Sequence, residues 1–547
     1  MPNLKSAYFY FLAIKILFLK FIKKIYFTTN YYNKSLQAPI PKKFYFYPNP
    51  ILLSSFTNHK NFSFKVSNID PDIFWQEQEY KKDKKNLNSF LWLNLIDRKN
   101  DAKIIQKIIT VWMFRNEKYK KLVWDSSVLS TRITSWILNA EIILKYKDEN
   151  FKHYFLKSIV TQINHLKKNY KFENDSLKKI KILTSILLSG LVFKEYFENF
   201  ETNTKELKNI INDYFDKDGF PINRNSNDLI EFSKYLILIK ECVKDAQQFV
   251  PDYLDEIIGK NITCLKFISE PNNETALFNG STENNLKEYF NYKNNLGYNH
   301  WREVDLIGGI KKLKRKKNFV YFDVSGPPPK KYSNSYQSGP LSFEYYVDNF
   351  KVITNCGFGC LISKKSELIS RFTSAQSTLC LNDYSVVQFE RNKMINKYFG
   401  TSIKNKFDVF NILHDNKNDD LCVEASHNAY VKKFGYVHKR KLSLQENGDL
   451  RGSDHILNKN SNLNTDYAIR FHLYPGISAV QTISGNSILI QLKKNKSLFF
   501  SSEGNKISIE NSIFLGRNKI LNNNCITISG KTNLENKIIS WNIKKNR

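Results

Sequence analysis

The hydrophobic periodicity of this chain changes once, near residue 285, and that change constrains the fold more than any other feature. Before it, apolar residues recur at helical spacing. Asp101 to Met113 (DAKIIQKIITVWM) places Ile104, Ile105, Ile108, Val111 and Trp112 on one face, with Asp101 as a first-turn acid. The same pattern predicts helices over Ser130–Tyr146, Phe151–Lys168, Ser176–Asn199, Thr204–Phe215, Asn227–Gln248 and Tyr253–Ile268. After it, short β-branched runs alternate with turn residues: Phe319–Val324 followed by GPPP, Leu341–Val347, Phe350–Thr354, Thr378–Leu381, and alternating Ile and Leu around Ile488 and Ile507. Short strands at regular spacing point to a β-sandwich. The expected organisation is an N-terminal segment and linker over 1–74, a helical array or toroid over 75–290, and a sandwich over 291–547. The overall class is α+β and multidomain.

Composition decides less. Hydrophobic residues at 41% and aromatics at 14% exclude global disorder. The formal charge of +31 admits a polyanionic partner, but the lysines are scattered and the one dense run is Lys311 to Lys317. No nucleic-acid motif accompanies them, so nucleic acid is not an expected partner. The seven cysteines contain no CxxC pair, which implies neither a zinc ribbon nor a disulfide framework; Cys356 and Cys360 read as small buried hydrophobes. Ala7 to Phe27 is apolar but broken by Lys15, Lys20, Lys23 and Lys24, the last three on one helical face. This suits an interfacial amphipathic helix making peripheral membrane contact; a packed first helix is the alternative. No clear signal-peptide pattern is present.

No P-loop, Rossmann fingerprint, HExxH or GxSxG occurs. Six polar clusters stand out instead. Trp124, Arg132 and Trp136 line either a sugar groove or a helix interface. DGFPINRN carries Arg224, a partner for a carboxylate, and Asn225. ALFNGSTE puts Asn279 before a glycine in a tight loop. GYNHWRE offers Tyr298, His300 and Arg302 as base, acid and anion clamp. The stretch Asp323 to Glu344 contains Gln337 and a Glu344 that reads as a strand-surface residue. EASHNAYVKKFGYVHKR brings His427, Tyr430 and His438 close, with His472 in AIRFHLYP expected to converge on them.

Taken together, FLWLNLID, WDSSVLSTRITSW, DGFPINRN, LFNG, DVSGPPP, SGPLSFE, VITNCG, SAQSTL, EASHNAYVKKFGYVHKRKL and AIRFHLYP resemble, in order, the heparinase II/III family. The resemblance implies a helical toroid followed by an antiparallel β-sandwich, a bacterial cell-envelope or periplasmic location, and β-elimination on an acidic, uronic-acid-containing glycan. In that chemistry a donor neutralises the substrate carboxylate, a Tyr or His removes the C5 proton, and a Tyr protonates the leaving oxygen. Tyr298 or His427 is the expected base and Tyr430 the acid. Arg224, Asn225, Asn279, His300, Arg302, Gln337, His438 and His472 are expected to bind substrate. Where metal-containing members resemble a zinc site with His, Asp and His, this chain has Gln337, Asn355 and Gln376. Amides are poor zinc ligands, so no metal or other cofactor is expected. The family's catalytic Asn and Tyr align near Leu177 and Asp228, which do not fit. A catalytically degenerate protein that binds cell-envelope glycan is therefore the alternative function.

Overall fold

The computed structural model describes residues 4–57, 70–71, 74–75, 84–96, 102–146, 148–415, 420–492 and 496–546. Asp101 and part of the expected linker lie outside them. Within that linker the chain forms a helix at Asn30–Ser35 and a 3₁₀ turn at Pro50–Phe56.

The first compact unit comprises residues 1–214, 230–259 and 288–299. Three of its helices start where an aspartate caps them. The Asp175 carboxylate accepts the amides of Leu177 (2.9 Å) and Lys178 (3.2 Å) and begins Ser176–Val192; Asp125 and Asp148 do the same for Ser126–Leu138 and Glu149–Tyr170. The single helix expected over Ser176–Asn199 is in fact two. Phe193 adopts extended dihedrals (φ −118°, ψ 114°), and a new helix runs from Phe197 to Tyr214. The returning helix approaches so closely that a Cβ on Gly190 would fall 2.4 Å from the Phe200 amide nitrogen. Phe90, Trp112 and Trp136 form the aromatic centre of this unit, with edge-on rings 5.3–5.5 Å apart.

The second unit comprises residues 215–229, 260–287 and 300–547. The change in secondary structure near 290 and the division into compact units therefore differ: two segments from before the expected boundary fold with the strands. They carry Arg224, Asn225 and Asn279. The strands are β1 (Leu306–Ile307), β2 (Ile310–Arg315), β3 (Asn318–Asp323), β4 (Phe343–Val347), β5 (Phe350–Thr354), β6 (Leu379–Leu381), β7 (Val409–Asp415), β8 (Leu421–His427), β9 (Tyr436–Leu444), β10 (Leu450–Asn458), β11 (Asp466–Leu473), β12 (Ser478–Gln481), β13 (Ser487–Gln491), β14 (Ser497–Ser501), β15 (Lys506–Phe514), β16 (Leu521–Lys531) and β17 (Lys537–Lys545). A nine-stranded sheet runs β1-β2-β3-β4-β5-β11-β16-β15, with β6 on β11; an eight-stranded sheet runs β12-β13-β14-β17-β10-β9-β8-β7. Every pairing is antiparallel. Alternate residues of both sheets, including Phe343, Phe471, Phe500 and Trp541, fill one apolar core. The expected helical portion followed by an antiparallel sandwich is what the chain forms.

Glu344 departs from its reading as a surface residue. It is fully buried, pairs with Lys351 at 3.3 Å, and accepts from Thr354 Oγ1 (2.7 Å) and Tyr346 Oη (3.0 Å). In β4 every residue is buried, so alternation gives no exposed face. Cys356 is buried as expected, but Cys360 is exposed.

Candidate active site

The turn before the helix Ser226–Asp245 is built by its own side chains. Asp216 accepts the amides of Asp218 (2.9 Å) and Phe220 (2.8 Å), and the turn closes with Phe215 paired to Pro221. It delivers Arg224 in the left-handed region, at φ 62°. Arg224 is 6% exposed, and its guanidinium donors are taken up within the protein. Nη2 lies 2.6 Å from Asp323 Oδ1 at the end of β3, Nε donates to the Gly308 carbonyl at 2.9 Å, and Nη2 and Nη1 reach the carbonyls of Gly309 and Gly326 at 3.3 Å. Burial pushes the Asp323 carboxyl up, and Arg224 pulls it back only in part. The expected clamp for a substrate carboxylate is thus an internal ion pair.

Three asparagines flank Arg224. The Asn225 Oδ1 accepts the Asn227 amide (2.9 Å), and its Nδ2 makes a long contact to Ser335 Oγ (3.4 Å). Asn223 donates to Asp228 at 2.7 Å, and Asn227 ties the turn to the LFNG loop through Gly280 O (3.2 Å) and Asn284 Nδ2 (2.7 Å). In that loop Asn279 sits at φ 51°, and Gly280 at φ 92° packs where a Cβ would fall 2.5 Å from Ser335 Cβ. Asn279 faces the Asp323 carboxyl, yet its buried Nδ2 has no hydrogen bond of good geometry. The Tyr336 hydroxyl, fully buried beside Asp323 and Arg224, also lacks a partner. Left-handed backbone at Arg224 and Asn279, together with a buried Tyr336 hydroxyl that has no hydrogen-bond partner, marks this cluster as the candidate site. Of the expected residues, Arg224, Asn225, Asn279 and Gln337 are brought together here. Tyr336 was missed; an aromatic in a polar run (SNSYQSG) was its only signal.

Gln337, Asn355 and Gln376 do not fit a metal. Gln337 accepts the Gly280 amide at 2.9 Å and donates to the carbonyls of Gly357 (3.1 Å) and Ser370 (2.7 Å). Gln376 donates to the same Ser370 carbonyl at 2.8 Å. Asn355 accepts from the Ser377 amide (2.9 Å) and donates to Leu277 O (3.0 Å). Each amide is a fastener between loops, its nitrogen turned to a carbonyl, and none offers an anionic donor. Among the described residues no three His, Cys, Asp or Glu side chains gather as a metal set.

The remaining expected residues divide by burial. His427, His438 and Tyr430 are fully buried in the sandwich. The Ala429 amide donates to His427 Nδ1 (3.2 Å), which leaves His427 Nε2 to donate to His438 Nδ1 (3.0 Å) and His438 Nε2 to donate to Asp454 (2.7 Å). Arg440 Nε (2.7 Å) and Trp541 Nε1 (2.9 Å) complete the shell of Asp454. Burial alone would raise that carboxyl, but Arg440 and His438 hold it well below the ordinary range. Burial also keeps both imidazoles neutral. Tyr430 donates to the Leu379 carbonyl at 2.8 Å, and burial raises its phenol. The assignment of His427 and Tyr430 as base and acid is corrected: an enclosed chain of satisfied bonds has no access to a polysaccharide. His472 does not join them. It donates from Nε2 to Ser374 O (3.1 Å), meets Ser512 Oγ (2.9 Å) through Nδ1, and lines a separate cavity of about 820 Å³ with Arg470 and Asn523.

Tyr298 belongs to the helical unit. Its hydroxyl donates to Glu241 at 2.5 Å, and burial and that carboxylate together raise its pKa. A phenol so held is a donor, which overturns its reading as a base. His300 and Arg302 belong to the other unit and are exposed. Arg132 and Trp136 are packing residues: Arg132, fully buried, donates to Gln162 (2.8 Å) and stacks over Trp112 at 4.4 Å.

A helical portion followed by two antiparallel sheets defines a heparinase-like fold. Residues 295–542 match the family described as heparinase II/III-like, C-terminal. The resemblance read from the sequence motifs is thereby confirmed for this part of the chain. Among solved structures, a mutant of the heparan sulfate lyase HepC from Pedobacter heparinus is similar, with TM-score 0.64 and 13% identity over 93% of this chain and 84% of that one. A heparinase III is similar at TM-score 0.64 and 14% identity, over 89% and 80%; a second heparinase III gives 0.62 and 13%, over 84% and 75%. No curated protein matches the chain in sequence.

Proposed function

We propose that the protein is a polysaccharide lyase that cleaves an acidic glycan by β-elimination. The observation that carries this reading is the Asn225–Asn279–Tyr336 cluster, with the Asn279 amide turned to the Asp323 carboxyl and the Tyr336 hydroxyl without a hydrogen-bond partner beside the Arg224–Asp323 pair. Neutral amide donors suit a uronate carboxylate, because they stabilise the enediolate that develops when the C5 proton leaves. Asn279 and Asn225 are the carboxylate donors in this scheme. His300, exposed and in the same compact unit as the cluster, is the proton acceptor that the reading requires and that the His300→Ala variant tests. Tyr336, fully buried beside Asp323 and Arg224, is a positioning residue, and the proton that His300 takes from C5 is the one returned to the leaving oxygen.

The test is the ultraviolet absorbance of the unsaturated uronate end group, followed across a panel of uronic-acid polymers. The wild type is expected to generate it, and Asn279→Ala and His300→Ala are each expected to lower kcat by about 100-fold or more. The amide fasteners at Gln337, Asn355 and Gln376 favour a second reading, a heparinase-like protein that binds envelope glycan without cleaving it. That reading predicts retention on immobilised acidic glycan with no absorbance change on any polymer.

A further inference from the structure

The helix Leu4–Thr28 contains no aspartate or glutamate. One of its sides meets the protein. Ala13 is fully buried, the Lys23 ammonium lies 3.1 Å above the Phe172 ring, and the Phe27 ring packs 4.9 Å from Tyr119 and 5.3 Å from His165. The other side carries Phe11, Ile14, Phe18, Phe21, Ile22 and Ile25, which are 43–70% exposed. Their spacing places all six on one stripe, roughly 21 Å long at about 1.5 Å of rise per residue. A continuous apolar surface of this kind calls for an occupant. Among the described residues no helix is long and apolar enough to cross a membrane. Lys15, Lys20 and Lys24 are exposed along the same helix. A second copy of the helix would bring lysine to lysine with no counter-charge, whereas an anionic surface supplies one.

The helix is also tied down at its end. Thr29 caps the following helix Asn30–Ser35, and Tyr32 Oη lies 2.7 Å from His165 Nδ1 on the helix Glu149–Tyr170. Lys168 donates to Ser35 O at 2.7 Å and Asn164 to Leu36 O at 2.9 Å. We propose that Leu4–Thr28 lies in the interface of an anionic bilayer, with the apolar stripe at the acyl boundary and the lysines among the headgroups. Through the Tyr32–His165 tie it holds the helical unit in one orientation on that surface. This inference does not depend on the lyase reading.

Flotation of the full chain with lipid vesicles tests it. The wild type is expected to float with vesicles of phosphatidylcholine and phosphatidylglycerol, and far less with phosphatidylcholine alone. Phe18→Glu with Phe21→Glu is expected to weaken partition about 100-fold or more, and Lys20→Glu with Lys24→Glu about 10-fold. All four residues are solvent-facing, so an unchanged melting temperature confirms folded variants. No flotation of the wild type with either vesicle overturns the proposal. So does a dimer by light scattering that Phe18→Glu with Phe21→Glu dissociates, because a second copy then covers the stripe. Neutron reflectometry on a supported anionic bilayer tests the orientation: one sharp protein layer for the wild type, and a broadened layer at equal bound amount for Tyr32→Ala. A broad layer for the wild type overturns that part.

Discussion

The Arg224–Asp323 pair gives a sharp test, because its two halves fail differently. Both side chains are buried, at 7% and 2% exposed, and Nη2 and Oδ1 are 2.6 Å apart. Asp323→Asn keeps the shape but leaves a guanidinium that cannot lose its proton without a counter-charge. The expected cost is about 3–5 kcal/mol, independent of pH across the neutral range. Arg224→Met removes the donor to Asp323 and to the carbonyls of Gly308, Gly309 and Gly326. The cost at neutral pH is again about 3–5 kcal/mol, but Asp323 has an escape. Burial already pushes its carboxyl up, and without Arg224 it rises further. A carboxyl whose folded pKa exceeds its unfolded value binds extra protons in the folded state. The Arg224→Met deficit therefore shrinks as pH falls toward the ordinary aspartate value of about 4. The double variant Arg224→Met with Asp323→Asn is expected to recover at least about 2 kcal/mol relative to the summed single effects. Urea denaturation gives the cycle, and hydrogen exchange in 215–229 and 318–326 locates it. If Asp323→Asn stays within about 0.5 kcal/mol of wild type and the two changes simply add, Arg224 is not committed internally and regains its role as a substrate clamp.

Three further outcomes are expected. Burial holds the His472 imidazole down at about 4 against an ordinary 6.5, so its contribution is full above about pH 6.5 and is lost as pH falls toward 4. His472→Gln should remove about 3 kcal/mol of that acid sensitivity, read as urea midpoints at several pH values; an unchanged slope refutes it. His427→Gln should cost about 1–3 kcal/mol of stability and leave turnover per folded molecule unaltered, and a large fall in kcat at full folding would return His427 to the chemistry. Gly452→Ala places a Cβ 2.1 Å from the Trp541 indole; it should cost about 1–3 kcal/mol or more by thermal melting, and a neutral result would mean that the indole has room to move.

Much of the architecture was legible because periodicity is local. Phe350–Thr354 forms the strand its pattern predicts, and most other expected helices and strands differ only at their ends; the helix expected over Ser130–Tyr146, however, divides at Asn139 into Ser126–Leu138 and Ala140–Ile143. The break at Phe193 was not legible, since Phe continues an apolar run as readily as it ends one. In the site, the polarity of DGFPINRN and LFNG drew attention to the segments that meet. What the sequence could not show was Arg224's partner, 99 residues away. The histidines misled for a related reason. His427 and His438 do face each other across the β8–β9 pairing, but sequence proximity carries no information on which side of a sheet they lie. Glu344 failed by the same rule in reverse, as a charge with a buried partner reads like a charge in water.

Asp454 has a consequence for how the sandwich finds its alignment. It sits on the inward-facing set of β10, opposite Arg440 on β9, with Trp541 two positions away on β17 opposite Gly452. A slip of β10 by a single residue would turn Asp454 outward, strand Arg440 in an apolar interior and bring Ser453 and His455 inside. Purely aliphatic strands of similar length would tolerate such a slip far more easily. One carboxylate thus works as a notch that only the native pairing of three strands can engage, and every misaligned register carries the cost of a buried, unpaired Arg440.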